Sequence, residues 1–252
     1  MSKLKHNGGY KRTLLILSAI GLLIVVAVVC NRLFNRSLSA TTSPAQNAMP
    51  MSDYDWAIGD IIQFGRHNWL VLDVQGGRAL VITEQIVSRR AYHTYLANIT
   101  WGNSDIRRWL NDDFYNTFTA EERGRIAEAT IINNNNPWYH TRGGANTTDR
   151  IFLLSIEEIV QYFGDSGLLT GDSGLLANPN YAKWRWRGFN DDYGPVRSAV
   201  DANGNSTWWW LRSPGVGRRL GAVVYNLGAV GVGGTAVDQS GGGVRPALWL
   251  NP

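Results

Sequence analysis

Apolar residues are spaced in three ways along this chain, and each spacing predicts a different element. Residues 13–30, TLLILSAIGLLIVVAVVC, form one apolar run without a charge. A run of about 18 residues is near the lower limit for crossing a bilayer as a helix, and Leu33 and Phe34 extend it. From residue 60 the pattern changes to short β-branched and aromatic runs: DIIQFG (60–65), NWLVLDVQ (68–75) and RALVITEQ (78–85). These predict three strands, broken at Arg66-His67 and at Gly76-Gly77, the second a two-residue hairpin signal. A helical period follows, with Ile106, Trp109, Leu110 and Phe114 on one face after Ser104. Thr119 with Glu122 and Ser155 with Glu158 read as capping boxes that open two further helices. Beyond Phe163 the chain turns Gly-rich and closes with the short strands STWWWLRS, AVVYN and ALWLN. The order predicts an α+β domain of short antiparallel strands, two or three helices and long loops. Loops of that length point to a functional surface.

Charge orients the apolar run. Lys3, Lys5, Lys11 and Arg12 precede it, which predicts a cytoplasmic N-terminus and an exported remainder. A retained anchor is favoured over a cleaved signal peptide or a lipidated Cys30. The run is long for a signal, and Val29 stands where a small residue would be needed. The expected organisation is a basic tail over 1–12, a transmembrane helix over 13–34, a flexible linker over 35–53 and a folded domain over 54–252. The protein is thus expected in the cell membrane as a single-pass chain with its domain outside the cell.

Composition narrows the chemistry. Cys30 is the only cysteine, so the exported part has no disulfide, no zinc–thiolate site and no cysteine nucleophile. Residues 1–36 hold six of the 24 Lys and Arg and no acid, leaving 18 basic against 20 acidic residues beyond them. That balance gives no footprint for a nucleic-acid partner. The four histidines are scattered, and no phosphate loop is present. The tandem GDSGLLT (164–170) and GDSGLLA (171–177) reads as a duplication in a surface loop, since a catalytic triad needs one nucleophile. Asn190-Asp191-Asp192 is one acidic cluster. Asp201-Ala202-Asn203-Gly204-Asn205 is another, with the look of a calcium loop but without its distal Glu. A hairpin turn is the plainer reading of the second, so no cofactor is expected, with calcium left open. Asn133 to Asn136 with Pro137-Trp138 reads as a helix-terminating turn. In a strand, Trp208 and Trp210 would share one face and Trp209 the other.

WWWLRSPG, a Gly/Val-spaced stretch and GGVRPALWLN together resemble the C-terminal half of a bacterial domain family of unknown function. The resemblance extends through GDIIQFGRHNWLVLD, TWGNSDIRRWLNDDFYNTF, NNPWY, TTDRIFLLSIEEIVQYFG and DANGNSTWWWLRSPG, covering nearly all of residues 57–252. The ending is also similar to the variable proteins of diversity-generating retroelements. That likeness implies a C-type-lectin-like fold, related to formylglycine-generating enzymes, with altered Asn codons clustered on an exposed ligand-binding face. It implies a constant skeleton of Val224, Gly228, Val230, Gly234, Val237 and Gly242 to Arg245. The implied ligand-binding positions are Val216, Gly217, Arg218, Arg219, Leu220, Val223, Tyr225, Asn226, Leu227, Ala229, Gly231, Val232, Thr235, Ala236, Asp238, Gln239 and Ser240. Randomising the two adenines of an AAC codon never yields Gln, Lys, Glu, Met or Trp, and within 216–241 only Gln239 belongs to that set.

The resemblance therefore implies a surface-displayed, membrane-anchored binding protein, not an enzyme, with a protein or glycan ligand outside the cell. An undiversified lectin-like envelope module is the alternative. A formylglycine-generating enzyme is the third reading, against which the missing cysteine argues. Residues 216–241 are expected to be exposed and irregular between two buried strands, with Trp210 and Trp249 in the core.

Overall fold

The computed structural model describes residues 55–165 and 191–252. The expected anchor over 13–34, the linker over 35–53, most of the GDSG repeat and Asn190 lie outside the described residues. Among the described residues, no helix is long and apolar enough to cross a membrane.

Strand β1 (Ile61–Phe64) and strand β2 (His67–Gln75) pair antiparallel, with Phe64 opposite His67. The turn between them is therefore Gly65-Arg66, one residue earlier than the break at Arg66-His67 suggested. Strand β3 (Arg78–Thr83) follows the Gly76-Gly77 turn. Both glycines take positive φ, +57° and +78°, which a two-residue hairpin matching the right-handed strand twist requires. A two-residue β4 (Ser88–Arg89) comes next.

Helix α1 (Asp105–Trp109) starts at Ser104, whose hydroxyl accepts from the Arg107 N–H. It continues in π register over Leu110–Phe114 and ends in a 3-10 turn over Tyr115–Thr117. Ile106, Leu110 and Phe114 are buried, while Trp109 is half-buried at the edge with the Arg90 guanidinium 3.9 Å above its ring. Helix α2 (Ala120–Arg125) and helix α3 (Ile156–Phe163) each begin with the capping box read from sequence. Between them lie β5 (Ile126–Ala127), β6 (Ala129–Ile131), β7 (Thr147–Asp149) and β8 (Ile151–Phe152). A short α4 (Gly194–Arg197) leads into β9 (Ala199–Val200) and β10 (Ser206–Thr207). The chain closes with β11 (Trp209–Pro214), β12 (Leu220–Val224), β13 (Val230–Ala236), β14 (Gly243–Val244) and β15 (Ala247–Leu250).

These strands make two larger sheets. The first runs β1-β2-β3-β15-β5, with β8 also paired to β15; the second runs β13-β12-β11-β14-β4. All ladders are antiparallel except β11 with β14. The α+β expectation therefore holds at the level of mixed, mostly antiparallel structure. Two short segments carry the chain directly from one sheet to the other: residues 84–87 between β3 and β4, and Arg245-Pro246 between β14 and β15. They are stitched together, since Thr83 N–H donates to Pro246 O (2.9 Å) and Arg245 Nε donates to Thr83 O (2.7 Å).

One buried cluster joins both sheets and α1. Trp69, Ile82, Trp209, Trp210, Leu248, Ile106 and Leu110 are all fully buried within it. Each such side chain contributes roughly 2 kcal/mol by leaving water. Trp208 and Trp210 do share a face, in edge contact at 4.9 Å, and Trp209 stands on the other, 5.2 Å from Arg245. Trp249 is half-buried beside Arg78 rather than enclosed.

Candidate functional site

Two strands of the second sheet, with the turns that flank them, carry the residues singled out at 216–241. The expectation that this stretch is exposed and irregular is corrected by β12 and β13. Nearly half of it is regular strand, and Val223, Ala229, Gly231 and Val232 are buried. Period-two alternation cannot expose every second residue here, because both faces and the outer edge of β13 are covered. The Tyr225 ring lies against Gly231, where a Cβ would sit 2.8 Å from Cε2. The side chain of Asn136 donates to Val232 O (2.8 Å) on β13 and to Pro214 O (2.7 Å) on β11.

The remaining members separate to the two ends of the sheet. At one end, the β11–β12 turn places Val216, Arg218 and Arg219 in solvent, with Gly217 and Leu220 half-covered. Gly215 N–H donates to Leu220 O (2.7 Å), and Val216 N–H donates to Gly233 O (2.9 Å), so the turn is pinned to both neighbours. Thr235, Ala236 and Asp238 lie half-exposed beside it, followed by the exposed Gln239 and Ser240. Val237 N–H donates to Arg219 O (3.1 Å), closing this end. At the other end, Tyr225, Asn226 and Leu227 form the β12–β13 turn, with Leu227 71% exposed. Gly228 has φ +81°, and a Cβ there would fall 1.7 Å from Gly194 O, so the turn packs backbone to backbone on α4. A five-residue strand separates the two ends by about 15 Å. The set is not one continuous face.

Loop 93–99, which the sequence did not single out, adjoins the first end. His93 N–H donates to Val237 O (2.8 Å), and Ile99 N–H donates to Arg218 O (2.9 Å). Between these anchors Tyr95 is 64% and Leu96 42% exposed. His93 Nδ1 lies 2.8 Å from Asp105 Oδ2, and the Tyr95 ring packs against His93, tilted by 60° with centroids 4.5 Å apart. Partial burial raises the Asp105 pKa, but two hydrogen bonds from Thr94, then His93 and Arg108, outweigh it and hold the carboxyl below its ordinary value. The Tyr225 hydroxyl at the far end is pushed up by burial and stays protonated. Arg218 and Arg219 take part in no ion pair among the described residues.

The skeleton positions behave differently from those between them. Val224, Val230, Val237 and Val244 are fully buried, and Gly228, Gly242 and Gly243 have no room for a side chain. Arg212 of WWWLRSPG is buried, with Nη2 2.7 Å from Glu158 Oε1 and Nη1 2.8 Å from Leu153 O. Glu158 thus caps α3 and pairs β11 at once. Among the described residues the Arg245 side chain has one hydrogen bond, to Thr83 O, lies over the Trp209 and Phe163 rings, and burial pushes its pKa down to about 10.

Asn133 to Asn136 is not a helix-terminating turn, because it follows β6 rather than a helix. Asn136 is an internal staple: its Oδ1 also accepts from the N–H groups of Trp138 (2.8 Å) and Tyr139 (3.1 Å). Nothing in NNNN distinguishes the fourth Asn from its neighbours. The 201–205 loop is the β9–β10 hairpin turn. Asp201 Oδ1 accepts from Asn203 and Asn205 N–H, and Oδ2 from Arg89 (2.7 Å). Asp191 forms a buried pair with Arg197 at 2.7 Å. Among the described residues, no group of three or more His, Cys, Asp or Glu is placed to hold a metal.

Residues 76–252 match the family described as a domain of unknown function, DUF6273. The chain belongs to this family. No curated protein matches it, and no solved structure does. The DUF6273 match begins at Gly76, inside the β2–β3 turn, so β1 and β2 lie before it although β2 pairs with β3 along most of its length.

Proposed function

We propose that this DUF6273 chain is a surface-displayed, membrane-anchored ligand-binding protein rather than an enzyme, held by a helix over 13–34. Its binding face is the end of the second sheet formed by Val216, Arg218, Arg219, Gln239 and Ser240, with Tyr95 and Leu96. The observation that carries the reading is this end itself. Two arginines without an ion pair stand on a turn whose backbone is fixed by five hydrogen bonds, and the adjoining loop 93–99 sets the exposed Tyr95 and Leu96 beside them. Arg and Tyr on a rigid frame are the residue types that dominate protein interfaces, so a protein ligand is favoured over a glycan there. The lectin-like fold and retroelement diversification belong to this proposal through the sequence resemblance. Burial of Val223, Gly231 and Val232 supports a narrower variable set than the resemblance implied. It equally supports the second reading, an undiversified interaction module.

A screen of extracellular proteins against the full chain tests the face. Replacing Arg218, Arg219 and Gln239 by Ala should abolish binding with circular dichroism unchanged. Replacing Asn226 and Leu227 should leave binding intact. A ligand that survives the first change and is lost with the second would move the site to the other end. A reverse transcriptase gene beside this one, with an adenine-differing copy of the segment, decides between the two readings.

A further inference from the structure

Where the two crossing segments meet, a recess of about 350 Å³ opens to solvent, within the size range of small-ligand pockets. The β1–β2 turn supplies Arg66, the start of β2 supplies Asn68, the crossing segment supplies Glu84 with Ile86 and Val87, and the β9–β10 turn closes one side at Ala202. Thr83 also lines it, is 1% exposed, and has a buried hydroxyl with no hydrogen-bond partner among the described residues. Behind Thr83 stands Arg245, whose Nη1 is likewise buried and has no hydrogen bond among the described residues, its guanidinium lying over the Trp209 and Phe163 rings. Buried polar atoms left unpaired cost free energy, so a ligand that pairs the Thr83 hydroxyl would gain by doing so.

The lining selects a chemical class. Arg66 and Asn68 donate, Glu84 accepts, and the Thr83 hydroxyl does either. Asn68 Nδ2 already lies 3.2 Å from Glu84 Oε2, so donor and acceptor stand side by side. A free carboxylate or phosphate would face the Glu84 charge. An apolar ligand would leave Thr83 unpaired. Adjacent hydroxyl groups, each donor and acceptor, satisfy both sides, and their C–H face suits Ile86 and Val87. His67 lines the same recess, and burial, then Arg66, lowers its pKa, so the imidazole adds no charge to attract an anion at neutral pH. We propose that this recess binds a small neutral polyhydroxylated ligand of monosaccharide size, its hydroxyls bonded to Thr83 Oγ1, Glu84 and Asn68. The site is separate from the face at 216–240 and does not depend on it.

Saturation-transfer NMR on the full chain tests this with glucose, galactose, N-acetylglucosamine and myo-inositol as neutral probes, and phosphate and citrate as anionic ones. At least one neutral probe should bind in the millimolar range. Glu84→Ala and Thr83→Val should each weaken it about fivefold or more. The same Thr83→Val should leave the melting temperature of the unliganded chain unchanged or higher, because it removes an unpaired buried hydroxyl. A chain altered at Arg218 and Arg219 should bind the probe as the unaltered one does. The proposal is overturned if no neutral probe binds, if only the anions bind, or if both variants bind normally. A lowered melting temperature for Thr83→Val would overturn it too, since the hydroxyl would then have an internal role.

Discussion

Asn136 makes five hydrogen bonds from one buried amide, three as donor, the one to Gly215 O long at 3.5 Å, and two as acceptor, and through them ties a loop to β11 and β13. Asn136→Ala leaves these backbone groups unpaired in the interior, and should cost about 2–4 kcal/mol in urea unfolding. Replacement by Asp should not rescue it, because both strand carbonyls need a donor. His67 offers a second residue-scale test. Burial, then Arg66, lowers its pKa from 6.5. As pH falls through 6.5, the unfolded chain takes up the proton first, so stability declines from there until the folded imidazole is also protonated. The melting temperature should therefore drop as pH falls below about 6.5, and His67→Gln should flatten that part of the curve.

At the scale of elements, what could be read in the sequence depended on whether the signal was local. The β2–β3 hairpin and both capping boxes were legible because neighbouring residues alone create them. The strand β13 was not: VGVGGTA has three glycines and no alternation of apolar with polar, and it is a strand because β12 and the Asn136 loop cover it. The skeleton of Val and Gly was legible, and Gly228 shows why. Its φ of +81° and its contact with Gly194 leave no place for a Cβ. Gly228→Ala should destabilise by about 3 kcal/mol, read from the denaturation midpoint. The candidate binding set was legible only in part. The resemblance gave positions without depth, so exposed Arg218 and buried Val232 looked equivalent. Tyr95 and Leu96 carry no pattern at all and join the site only through backbone contacts with Val237 and Arg218.

For the whole molecule, the folded unit is larger than the stretch that matches DUF6273. Trp69 on β2 is fully buried, and its indole donates to Phe64 O (2.9 Å). A chain beginning at residue 76 would lose that side chain and uncover one edge of β3. It should show no cooperative thermal transition, whereas a chain beginning at residue 55 should keep one.

The position of β15 has a kinetic meaning. It is hydrogen-bonded to β3, β5 and β8 together, and its pairing of Leu248 with Val81 spans about 170 residues of sequence. Closing so long a loop carries a large entropic barrier before any contact rewards it. Until that closure the inner edges of β3 and β5 stand open and prone to pair with another chain. Chaperone dependence and aggregation during synthesis should then track mutations in 247–250 more closely than any change on the binding face.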